Sequence, residues 1–102
     1  MGLEDLTKEN FSENVKTKFQ VQLAEGQWVE LELTEVKEHP SSPRQEMFSL
    51  FFSGAPDALL PQNTYHLEHE RLGALDMFLV PVGKDEKGFI YEALFNRLPQ
   101  GA

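Results

Sequence analysis

The sequence of 102 residues predicts an all-β fold with a minor helical part: a six-stranded antiparallel barrel or sandwich with a short N-terminal helix. Three observations carry this. From Thr17 to Asn96 apolar residues recur at every second position in six segments, the period of a half-buried strand. The segments are joined by tight turns or by loops without helical periodicity, so the strands pair as hairpins and not through crossover helices. Helix signals are confined to the start of the chain.

The first element is the helix, expected over residues 6–16. Thr7 is its N-cap, and Leu6 and Phe11 occupy the two positions of a hydrophobic staple. Phe11 and Val15, four apart, share a face. A helix this short must dock on something larger, so it covers one open end or face of the sheet. In the first two strands Phe19, Val21 and Leu23, then Val29, Leu31 and Leu33, alternate with polar residues. Both apolar sets share one face only if the loop between them has an odd length. The three residues Ala24-Glu25-Gly26 fit, with glycine last, and set Val21 opposite Val29 and Phe19 opposite Leu31.

A polar connection, "KEHPSSPRQE", follows, its prolines barring regular pairing. "MFSLFFSG", Met47 to Gly54, is apolar on both faces and reads as a covered strand. "APDALLPQN" is a second loop, with room for one helical turn. Strands over residues 64–70 and 75–82 meet at Arg71-Leu72-Gly73, which sets Leu67 opposite Met77 and Tyr65 opposite Leu79. "GKDEKG" turns the chain into the last strand, Phe89 to Asn96, and residues 97–102 are a tail. One globular β domain spans residues 1–102.

Nine basic and seventeen acidic side chains give a net charge of −8. Such a chain repels phosphate backbones and anionic lipid, so neither nucleic acid nor membrane is expected as a partner. With no cysteine, disulfides and thiolate chemistry are excluded. The opening "MGLEDLTKEN" has no apolar core of a signal peptide, and the longest apolar run, Met77 to Val82, is far short of a bilayer span. A cytoplasmic protein is the expectation.

Chemistry is concentrated in "YHLEHER", Tyr65 to Arg71. On a strand, His66 and His69 point to opposite faces and cannot share an ion, and the helical HExxH spacing is absent. His66, Glu68 and Glu70 form an outward row that reads as a solvated strand face. His69, on the apolar side near a turn, is expected to cap a loop carbonyl. An enzyme using His66 or His69 with the nearby glutamates is the weakest reading, because no serine or cysteine nucleophile accompanies them. Glu30 and Glu32 read as a charged edge that resists aggregation, and Ser49 and Ser53 have no nucleophile elbow around them. No metal or cofactor is expected.

More informative is the surplus of apolar surface. If Phe48, Leu50 and Phe52 point inward, Phe51 points out. The same alternation leaves Phe78, Val80, Ile90 and Leu94 outside. Either the helix and loops cover these five, or they form a surface for a protein partner or for self-association, a homodimer included. An alternative spends the two-sided strands on a small apolar-ligand-binding barrel.

The segments "LTKENF", "FSLFFSG", "LPQNTYHLEHERLGALDMFLVPVG" and "YEALFN" together resemble a bacterial family of short domains of unknown function. The resemblance runs from Leu6 to Asn96 and is most specific from Leu60 to Gly83. Where that family often has proline after the position of His69, this chain has Glu70. The resemblance implies a small β-rich bacterial protein with an assembly or accessory role, of the kind found beside phage-tail-like genes, and brings no catalytic residues. The reading is therefore a non-catalytic protein-interaction or assembly module.

Overall fold

The structure is a computed structural model that describes residues 6–39 and 46–97. Residues 1–5, 40–45 and 98–102, with most of the proline-bearing connection and of the tail, lie outside the described residues. The elements are α1 (Lys8–Ser12), β1 (Lys18–Ala24), β2 (Gln27–Glu38), β3 (Glu46–Gly54), β4 (Asn63–His69), β5 (Gly73–Lys84) and β6 (Phe89–Arg97).

The six strands form a closed antiparallel barrel in the order β1-β2-β3-β6-β5-β4. Closure decides between barrel and sandwich, and it rests on β1 pairing with β4 through Gln20–Glu68, Val21–Leu67 and Gln22–His66. A closed barrel leaves no edge strand open to another chain. Its lumen is filled by the inward alternating set: Phe19, Val21, Leu33, Phe48, Leu50, Phe52, Leu67, Leu79 and Tyr91 are fully buried. Phe19 meets Phe52 edge to face, with ring centroids 5.3 Å apart.

Helix α1 closes one end. Thr7 and Asn10 satisfy each other's backbone amides in a capping box. Phe11 projects between Phe48 and Phe95, with centroids 6.3 and 5.7 Å away. Burying that ring contributes about 2–3 kcal/mol, which a five-residue helix needs because it cannot persist alone. The helix is shorter than the 6–16 expected. Lys16 takes a φ of 74° and its amide reaches the Leu33 carbonyl at 2.6 Å, so the chain turns there to enter β1.

Loop residues 55–62 cover the other end. Leu60 is buried and its amide donates to the Tyr91 hydroxyl at 2.9 Å. The loop holds a turn at Pro56-Asp57 where one helical turn was expected, since the Leu60 amide is committed to the barrel and not to a helical carbonyl. Gly88, at φ 150°, passes so close that a Cβ on it would lie 1.7 Å from the Gly54 carbonyl oxygen.

In the first hairpin Val21 pairs with Val29 and Phe19 with Leu31, as expected. The turn is the two residues Glu25-Gly26, with Ala24 paired to Gln27, and not the three residues expected. Gly26 has φ 77°, and a bulge between Gln22 and Ala24 supplies the odd residue and turns Leu23 out to solvent. In the β4–β5 hairpin Leu67 faces Leu75 and Tyr65 faces Met77, two residues from the expected register. The loop is Glu70-Arg71-Leu72, not Arg71-Leu72-Gly73, because His69 binds the loop amides and Leu72 is buried. A slip of two keeps every side chain on its own face. Strand β2 runs on to Glu38, past the expected connection, because a bulge between Leu33 and Glu35 resets its alternation. Among the described residues no helix is long and apolar enough to cross a membrane.

Candidate functional site

β3, β6 and β5 are consecutive in the barrel, and their outward residues form one face. Glu92 of β6 stands opposite Phe51 on one side and Val80 on the other. Ile90 and Leu94 lie two residues to either side of Glu92 on the same face of β6, and Phe78 lies two before Val80 on β5. The structure therefore brings together all five residues singled out from the sequence. Leu94 is 59 % exposed and Phe78 50 %, while Phe51, Val80 and Ile90 are half-buried by their neighbours. Helix α1 packs at the barrel's end and leaves this face to solvent.

Two members of the face were not singled out. Val82, 50 % exposed, sits at the bulge between Pro81 and Gly83, where alternation no longer predicts a side. Glu92 shares the parity of Ile90 and Leu94, so its place was readable from "FIYEALF". Its surroundings were not. The fully buried Ser49 donates its hydroxyl proton to Glu92 Oε2, and His39 Nε2 lies 2.7 Å from the same hydroxyl. Because Ser49 has one proton and gives it to the carboxylate, His39 must be the donor to Ser49. The chain of bonds runs His39 to Ser49 to Glu92, and it orients the carboxylate of Glu92.

The histidines of "YHLEHER" part as strand geometry requires. His66 lies outward, with Nδ1 3.0 Å from Asp76 and Nε2 3.2 Å from Glu68. Hydrogen bonds to Asp76 and then Glu68 raise its pKa above the usual histidine value. The row does not continue to Glu70, which lies in the turn. Among the described residues no group of three or more His, Asp or Glu side chains is placed to hold a metal ion.

His69 is only 7 % exposed. Its Nδ1 accepts from the amides of Arg71 at 3.0 Å and Leu72 at 3.2 Å. It caps loop amides, not the carbonyl expected, since an unprotonated ring nitrogen can only accept. Nε2 must then carry the proton and donate to Thr17 Oγ1 at 2.8 Å, while Thr17 donates to the Asn14 carbonyl. Burial, and then the nearby Arg71 guanidinium, lower its pKa. A cleft of about 270 Å³ opens beside it, between Thr17, Gln20 and Arg71, but both ring nitrogens are occupied. A larger cleft, about 460 Å³, lies at the opposite rim between Val29, Leu31, Leu60 and Lys87.

The chain matches the family model of a domain of unknown function, DUF6916, over residues 6–95. The chain belongs to this family. The resemblance read from Leu6 to Asn96 is thus borne out, and the DUF6916 match takes in the helix, the barrel up to Phe95 in β6 and all five residues of the face. No curated protein and no solved structure matches the chain.

Proposed function

We propose that this DUF6916 domain is a non-catalytic protein-interaction or assembly module of the cytoplasm, docking a protein partner through the outer face of β3, β6 and β5. One observation carries the reading. Phe78, Val82 and Leu94 are half or more exposed on neighbouring strands and adjoin Phe51, Val80 and Ile90. Elsewhere on the barrel the outward positions are mostly polar, among them Lys18, Gln20, Glu30, Glu32, Glu68 and Asp76, and the exposed apolar side chains Leu23 and Trp28 stand apart at the β1–β2 hairpin. Contiguous apolar surface spread over three neighbouring strands is the signature of a docking site. Sedimentation and binding assays on Phe78→Asp and Leu94→Asp variants test it. Loss of association by folded variants supports docking, and unchanged association on both dismisses this face.

A second reading, a small apolar-ligand-binding barrel, has the 460 Å³ cleft in its favour, which is within the size range of ligand sites. The side-chain-filled lumen leaves this ligand the rim alone. Saturable binding of an apolar dye, one per chain and indifferent to Leu94→Asp, favours that reading; no saturable binding dismisses it.

A further inference from the structure

We infer that the segment docking on this face belongs to a distinct protein and lays an arginine or lysine, flanked by apolar side chains, onto Glu92. This deepens the proposed docking function and rests on it. Glu92 sits at the middle of the face, between Phe51 and Val80 across the strands and between Ile90 and Leu94 along its own. Its Oε2 is held by Ser49, itself in contact with His39. Lys8 pairs with Glu38, and Lys18 with Glu30 and Glu32; among the described residues no cation pairs with Glu92.

Any partner that covers the surrounding apolar side chains also strips water from this carboxylate. A desolvated charge without a counter-charge opposes binding, whereas one met by a hydrogen-bonded cation supports it. Ser49 occupies one oxygen and leaves the other, with the remaining lone pairs, for an incoming donor. A guanidinium suits it, because its flat faces lie against apolar groups while its edge reaches the carboxylate.

The same geometry disfavours a second copy of this chain. A twofold contact centred on the face would set one Glu92 against the other, between molecules that each carry a net charge of −8. Charge complementarity favours a basic partner.

The test selects peptides from a randomised displayed library on the full chain, and measures the winners against Glu92→Gln and Leu94→Asp, with light scattering to fix the oligomeric state. Glutamine can still accept from Ser49, so Glu92→Gln keeps the local bonding and loses only the charge. The expected result is a monomer that enriches peptides with a basic residue between apolar ones. These bind Glu92→Gln about tenfold or more weakly and do not bind Leu94→Asp. Peptides that need Leu94 yet show no basic preference, and bind Glu92→Gln unchanged, overturn the inference and leave the docking reading standing. A wild-type dimer that Leu94→Asp splits also overturns it, with a second copy as the occupant. Enrichment indifferent to Leu94→Asp, or no enrichment, removes the docking reading and the inference with it.

Discussion

Replacing His69 separates its bonding from its charge. The ring accepts two loop amides through Nδ1 and packs 4.4 Å from the Phe19 ring. His69→Ala strands the buried Leu72 amide at about 1–3 kcal/mol and adds a smaller loss at Arg71, where water reaches. With the lost packing the total is about 3 kcal/mol, or roughly 12–24 °C in Tm for a domain of this size. His69→Asn places an acceptor near the position of Nδ1 and should recover much of that loss. The charge has a separate signature. Folding lowers the His69 pKa, so between that value and the unfolded value near 6.5 the unfolded chain binds more protons. Stability therefore falls as pH drops below about 6.5, by at most about 1.4 kcal/mol per unit. His66 has the opposite sign: its pKa is raised in the fold, so its contribution grows as pH falls and is lost as pH rises through the raised value. Urea unfolding from pH 5 to 8 in a His66→Gln background isolates His69. His69→Asn in that background should abolish the His69 part of the acid-side slope. If the slope is unchanged, or stability rises toward acid in the His66→Gln protein, the neutral buried His69 is refuted.

Gly54→Ala would place a Cβ 2.7 Å from Leu31 Cδ2 and 3.1 Å from the Tyr91 ring, so a loss of about 1–3 kcal/mol is expected in denaturant unfolding. Thr7→Ala removes half of the capping box and should cost about 1 kcal/mol, with faster amide exchange confined to α1. Lys18→Gln breaks exposed ion pairs with Glu30 and Glu32 and should change stability by less than about 1 kcal/mol in the same assay.

Much of the barrel was legible because its signal is local. The alternation through Phe19, Val21, Leu31 and Leu33 set their faces and so the parity of the Val21–Val29 register, which the structure reaches by a two-residue turn and a bulge at Leu23. The register of β4 with β5 was missed by two because a side chain, His69, captures the loop amides, and no backbone propensity records that. Strand β2 outran its expected end because the bulge near Thr34 reverses the phase, so Val36 faces in while Glu35 and Lys37 face out. The choice of barrel over sandwich depends on β1 meeting β4 across more than forty residues, a non-local pairing with no mark in either strand. The face follows the same division. Which side Phe51, Phe78, Val80, Ile90 and Leu94 take was readable from parity. That Ser49 would hold Glu92 among them needed β3 beside β6, which only the closed order supplies.

The central claim is that this apolar face is bare in the folded molecule and kept for a partner. The most direct measurement is the thermal unfolding of the Phe78→Asp, Leu94→Asp double variant beside the wild type. Two exposed side chains exchanged for carboxylates should each shift stability by no more than about 0.5 kcal/mol, so the Tm should stay within a few degrees. A fall of 15 °C or more would mean that both side chains are covered within the single chain, and would contradict the account.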